Sequence, residues 1–161
     1  MKPKNDLSAK YVRMLLDYDS ESGILYRKHT KNVAGCPNKR GYILVRIKDR
    51  LYYAHRLIWL IQTGEWPEHQ VDHRDLDKGN NRWENLRDAT PSQQKWNQPK
   101  NKNNTSGIKG VSFCEFYQKW KAVIGYKGKT ITIGYFFTAE DAIIARARRA
   151  QELHGEFARA A

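Results

Sequence analysis

The chain has no apolar run of about 18 residues or more, which excludes a membrane-spanning helix of ordinary type. Its opening residues, MKPKNDLSAK, have no apolar stretch behind them, so no secretory leader is expected. Cysteine is scarce. Cys36 and Cys114 stand far apart and match no CxxC spacing, which argues against a thiolate zinc site. The expectation for them is two buried, reduced thiols in a cytosolic protein. Acidic residues are also in short supply: 17 Asp and Glu face 29 Lys and Arg, a formal net charge of +12. A chain of 161 residues with that balance is expected to meet nucleic acid. The excess is not confined to one tail. Residues 1–100 carry 19 basic side chains against 12 acids, and residues 101–161 carry 10 against 5, so each half is expected to touch phosphate.

The length suits one domain or two small ones. LSAKYVRMLLDYD places Leu7, Val12, Leu15 and Leu16 at roughly helical spacing. DSESGILYRKH then turns at Gly23 into a short strand. GYILVRIKD and RLYYAHR read as a hairpin across Lys48-Asp49-Arg50, and HRLIWLIQTG as an apolar helix closed by Gly64. Thr90-Pro91-Ser92 is a helix start, with Pro91 at the first helical position. QPKNKNNTSG is polar and reads as a linker. Beyond it GVSFCEF, KWKAVIGY and KTITIGYF are three strand-like runs. TAEDAIIARARRAQELHG follows as an amphipathic helix with Thr138 as N-cap and Glu140 and Asp141 near its positive end. The fold class expected is α+β.

The stretch VDHRDLDKGNNRWENLR, residues 71–87, concentrates carboxylates, amides and an imidazole in an otherwise basic chain. Alone, Asp72 beside His73 also reads as a solvated pair. Hydrolysis of a phosphodiester, however, needs a base working near neutral pH, which His supplies. It also needs a hard divalent cation held by carboxylate or amide oxygens, a role that fits Asp72.

Residues 55–97 resemble the HNH endonuclease family of phage and intron-borne type. The resemblance rests on HRL at 55–57, VDH at 71–73, D-K-x-N-N-R at 77–82, ENLR at 84–87 and the T-P-S-Q helix start. The upstream pattern YDSESG…GY.L..I..R.Y.AHR is also typical of these phage proteins. The resemblance implies a ββα-metal fold that holds one divalent ion, Mg²⁺ first and Mn²⁺ second. It assigns His73 as general base, Asp72 as metal ligand and Asn85 as the amide that orients His73. Asn81 and Arg82 organise the loop, with a phosphate contact open to Arg82. His55 is read as a packing or hydrogen-bonding residue and His69 as solvent-facing; His29 and His154 have no partners in sequence. One letter departs. Nine residues after Asn85 the family places Asn or His, and this chain has Gln94. Its extra methylene displaces the carbonyl oxygen that would ligate the ion, and Asn97 is a weaker substitute.

NNTSGIKGVSFCEFYQKWKAVIGYKGKTITIGYFFTAEDAIIARARRAQELHGEFA, roughly residues 105–158, resembles the plant Apetala/ethylene-response-factor DNA-binding domain. Gly110-Val111, Lys119-Trp120-Lys121-Ala122, Ile133-Gly134-Tyr135-Phe136 and Thr138-Ala139-Glu140-Asp141-Ala142 carry the likeness. It implies a three-stranded sheet laid in the major groove with a helix behind it. Lys109, Ser112, Lys121, Lys127, Lys129, Thr130 and Thr132 are the candidates for the DNA face, and Trp120 and Phe136 are core. Lys lacks the planar fork with which Arg reads guanine, so binding is expected to follow the backbone and to be salt-sensitive.

The divisions expected are an N-terminal helix and hairpin region at 1–54, a nuclease core at 55–97, a linker at 98–106 and a DNA-binding domain at 107–161. The function expected is metal-dependent hydrolysis of double-stranded DNA by a monomer or weak dimer, in the cytoplasm of a phage-infected cell. The rival is a non-catalytic, sequence-selective DNA-binding regulator with a degenerate nuclease site, and Gln94 is the feature in its favour. An RNA-binding reading has no motif behind it.

Overall fold

A computed structural model describes residues 5–97 and 107–158. The expected linker at 98–106 lies outside the described residues. The chain divides into two compact units, Met1–Thr90 and Pro91–Ala161. The fold is mixed α+β, with four small antiparallel sheets and four α-helices among the described residues. No helix is long and apolar enough to cross a membrane.

The first unit opens with α1 (Ala9–Leu15), capped by Ser8, whose Oγ accepts from the Tyr11 N–H at 3.2 Å. The helical spacing of LSAKYVRMLLDYD suggested a longer helix. The chain instead leaves the helix at Leu16, which has φ −130° and ψ 137°. It runs into β1 (Leu16–Asp19), paired with β2 (Ile24–Arg27). Asp19 explains the turn that follows. Its carboxylate accepts from the Glu21 N–H at 3.0 Å and from the Ser22 hydroxyl at 2.6 Å, and Gly23 closes the turn at φ +75°. Seven residues make a weak helix alone, and burying Leu16 on a strand outweighs one more turn.

β3 (Cys36–Pro37), β4 (Ile43–Ile47) and β5 (Arg50–Tyr53) form the second sheet. Lys48 and Asp49, both at positive φ, make the two-residue hairpin turn that matches strand twist. β5 passes directly into α2 (Ala54–Thr63), which ends on Gly64 at φ +86° with its N–H on the Leu60 carbonyl. β6 (Gln70–His73) and β7 (Leu86–Ala89) pair with Asp72 opposite Arg87 and His73 opposite Leu86. The core gathers Val12, Leu16, Leu25, Val45, Leu57, Ile58, Leu60, Val71 and Leu86.

The second unit begins with α3 (Pro91–Asn97). It continues with the sheet of β8 (Val111–Cys114), β9 (Lys119–Tyr126) and β10 (Lys129–Phe136), in the order β10-β9-β8. α4 (Ala139–His154) follows, with the Thr138 hydroxyl oxygen accepting from the Asp141 N–H at 3.1 Å. Val111, Ala122 and Ala142 are fully covered here, with Trp120 and Phe136 packed against them. The two cysteines are free thiols, but the expectation of burial fails. Cys36 is exposed and Cys114 half-buried, because each lies on a short outer strand of its sheet.

Candidate functional site

His73 is the last residue of β6, and its side chain is 4% exposed. Its Nε2 lies 3.1 Å from Oδ1 of Asn81. The amide of Asn81 is oriented independently, because its Nδ2 donates to the Gly79 carbonyl at 3.2 Å. An amide oxygen therefore faces the imidazole and orients the ring. Around the ring stand His55, edge-on at 5.1 Å between centroids, and Tyr42 at 6.2 Å; Tyr53 stacks on His55 at 5.3 Å. Lys78 lies 5.1 Å over Tyr42. His55 has a buried Nδ1 with no hydrogen-bond partner, and burial, helped by His73 and Arg56, pushes its pKa down to about 3. It is a neutral ring packed on a ring, in line with its reading as a packing residue.

Asp72 precedes His73 on the strand, so alternation turns its side chain the other way. Its Oδ2 accepts from both Nε and Nη2 of Arg87, at 3.1 and 3.0 Å, in a pair whose side chains are only 12% and 6% exposed. Tyr42 lies near both catalytic candidates. Burial first, then Tyr53 and Asp72, raise the pKa of its hydroxyl.

The loop between β6 and β7 is organised by Asp75 and Asn85. Asn85 Nδ2 donates to Asp75 Oδ1 at 2.9 Å and to the Asn80 carbonyl at 2.8 Å, and its Oδ1 accepts from the Asp75 N–H at 3.1 Å. Asp75 also accepts from Asn80 Nδ2 and the Asp77 N–H. Burial pushes the Asp75 carboxyl up, but the hydrogen bonds from Asn85, Asn80 and Asp77, with His73 nearby, bring it below the usual carboxylate range. The β1–β2 hairpin braces the same loop from outside. Tyr18 donates its hydroxyl to the Asn81 carbonyl at 2.8 Å, and Gly23 lies so close that a Cβ there would meet the Arg82 nitrogen at 2.5 Å. Arg82 lines an open depression with Ser20, Glu21, Trp83 and Glu84. His69 is exposed, with Nδ1 3.1 Å from Asp88.

In the first unit the folding joins His73 to Asn81 and braces the loop with Asn85, while Asp72 pairs with Arg87 on the opposite face of β6. Gln94 sits on α3, in the other unit. Among the described residues no group of three or more His, Cys, Asp or Glu side chains could hold a metal ion. The sequence reading gave no role to Tyr42, Tyr53, Asp75, Arg87 or Tyr18, although Tyr18 and Tyr42 are letters of the upstream pattern, Asp75 lies in the 71–87 stretch and Arg87 ends ENLR.

In the second unit, Ser112, Lys121 and Tyr135 are in register across the three strands, and Val123 pairs with Thr132 and Gly125 with Thr130. Ala122 and Ile124 alternate with these residues and are buried, so Ser112, Lys121, Thr130 and Thr132 share the outer face. Tyr117 reaches Tyr135 at 4.7 Å, and Phe116, 87% exposed, meets Tyr117 at 4.8 Å. Lys127 lies in the β9–β10 turn and Lys129 at the start of β10. Lys109 is elsewhere: its Nζ donates to the Trp96 carbonyl at 2.9 Å. His154, without partners in sequence, stacks on Trp96 at 4.2 Å and meets the Gly125 carbonyl with Nε2 at 2.9 Å.

A buried imidazole at a strand end, with an amide-braced loop closing over it, is the setting of a segment that matches a known family. A family model described as HNH endonuclease matches residues 52–95, so the chain carries an HNH endonuclease domain, whose substrate is DNA. The chain belongs to the same family as Protein 3.8 of Escherichia phage T7. The two are 35% identical over 111 residues, which cover 65% of this chain and 87% of that protein. No solved structure matches the chain.

Proposed function

We propose that the protein is a metal-dependent DNA endonuclease of phage type in which His73 is the general base. The observation that supports this reading is the setting of His73, a buried imidazole held at 3.1 Å by the Asn81 amide inside the segment that matches the family. Asn85 and Asp75 keep the loop that carries Asn81 in shape. Tyr42, His55 and Tyr53 hold the ring in place and limit water around it.

HNH nucleases use a divalent metal, and the donor chemistry here is compatible with a hard cation. Asp72 offers a carboxylate fixed by Arg87, and such ions take one or two carboxylates and complete their shell from phosphate and water. Asp72 would hold the ion, and Mg²⁺ is the first candidate. When bound, the ion supplies Lewis-acid stabilisation of charge on the scissile phosphate. The C-terminal sheet, read as an ethylene-response-factor-like domain, anchors duplex DNA on the face bearing Ser112, Lys121, Thr130 and Thr132. The turn lysines Lys127 and Lys129 add phosphate contacts. Arg82 contributes beside the nuclease loop.

Supercoiled plasmid incubated with Mg²⁺ should convert to open-circular or linear form, and EDTA should stop it. His73→Ala should lower the rate by about 10²–10⁴-fold, the usual worth of a general base. Full cleavage by His73→Ala would remove the assignment. Gln94→Asn should keep or raise cleavage. The second reading, a regulator that binds DNA without cutting, is favoured by Gln94, and a gel shift without cleavage under any divalent ion would establish it.

A further inference from the structure

The second unit contains a cavity of about 380 Å³ that the nuclease reading does not use. Its lining includes Lys109, Lys127, Lys129, Arg146 and His154, with Trp96 as an aromatic wall, and among the described residues no Asp or Glu takes part. Arg146 is the unusual member. It projects from α4, is only 5% exposed, and its Nε is buried with no hydrogen-bond partner. Gly110 leaves it room, since a Cβ there would lie 2.8 Å from that Nε. Buried guanidinium groups are normally paired, because stripping water from an unpaired charge is costly. Burial alone lowers the Arg146 pKa, with no acid raising it.

A cationic fork in a cavity whose described lining carries further cations and no carboxylate calls for a negative partner. We propose that this cavity is a binding site for a phosphate group, with Arg146 as its buried anchor and Lys127 and Lys129 at its mouth. The guanidinium fork matches phosphate oxygens, and the low dielectric around it strengthens the contact. Lys109 is a lesser contributor, as its ammonium already serves carbonyls of α3. The phosphate comes either from a DNA backbone or from a free phosphate or phosphate ester. The site shares Lys127, Lys129 and Thr130 with the proposed DNA surface, but its anchor Arg146 belongs to α4, which packs on the side bearing Ala122.

The test uses the full chain and contains no cleavage step, so it stands apart from the nuclease reading. Inorganic phosphate is titrated calorimetrically at constant ionic strength, with chloride as control, into wild type, Arg146→Met and the double variant Lys127→Gln/Lys129→Gln. Saturable binding is expected for wild type. Arg146→Met should lose about 10–100-fold in affinity, the span of a hydrogen bond to a charged group. Without phosphate, Arg146→Met should melt no lower than wild type, because it removes a buried unpaired cation. The double variant, altered only at the mouth, should keep its melting temperature and bind phosphate more weakly. A fluorescent 16-base-pair duplex then separates the sources. A matching loss of duplex affinity in Arg146→Met identifies backbone phosphate, and unchanged duplex affinity identifies a free phosphate or ester. The proposal is overturned if wild type binds no phosphate, or if Arg146→Met binds it as wild type does. It is equally overturned if Arg146→Met melts well below wild type while the double variant keeps full phosphate affinity.

Discussion

Acid should find a weak point at His55. In the folded chain its pKa is pushed down to about 3, and in the unfolded chain it returns to the ordinary value near 6.5. The folded state therefore refuses a proton that the unfolded state accepts, so stability falls as pH drops below about 6.5 and the loss is complete near 3. One pKa unit is worth about 1.4 kcal/mol, so at pH 5 this single ring removes about 2 kcal/mol. That is a large part of the roughly 5–15 kcal/mol that holds a small domain together. The perturbation is His55→Phe, which keeps a ring between Tyr53 and His73; Nδ1 has no hydrogen bond to lose. Urea unfolding at pH 7, 6 and 5 is the assay. Other titrating groups are common to both proteins and cancel in the difference. Wild type should lose about 2 kcal/mol more than His55→Phe between pH 7 and pH 5. Parallel losses in the two proteins would refute the claim that His55 stays neutral.

Three further changes test the supports of the site. Arg87→Met removes the guanidinium from the largely buried Asp72 carboxylate and should destabilise by about 3–5 kcal/mol in urea titration. Asn85→Ala removes three hydrogen bonds from the loop and should cost about 2–4 kcal/mol, with proton exchange of the Asp75 amide accelerated as its local signature. Gly23→Ala places a side chain at φ +75° against the Asn81–Arg82 backbone. It should lower stability by about 1–3 kcal/mol and slow plasmid cleavage more than the lost stability explains, because the loop itself is displaced.

Much of the architecture was legible because its signals are local. The Lys48-Asp49 hairpin, the Gly64 helix stop and the Thr138 cap each follow from residues within a few positions of the feature they create. Asp72 and His73 stood out as adjacent letters, and Asn85 through the family resemblance. What surrounds them was hidden for the opposite reason. Tyr18 reaches the loop from 63 residues upstream, Tyr42 lies beside His73 and Tyr53 beside His55, and local sequence does not say where those rings will land. The strand at Leu16–Asp19 was obscured because a helical apolar spacing runs straight into it, and only the distant pairing with β2 decides between the two forms. Arg146 gave no sign either: in sequence it is one of several arginines on a helix, and its burial appears only once the sheet is folded beneath it.

The hairpin that touches the β6–β7 loop bears on how this domain could be moved between proteins. The segment that matches the family, 52–95, holds His73 but neither Tyr18, which grips the loop by its Asn81 carbonyl, nor Gly23, against which the loop lies. A graft cut at those limits would carry the matched segment without its clamp. An engineer who wants to transplant this domain would have to begin no later than β1.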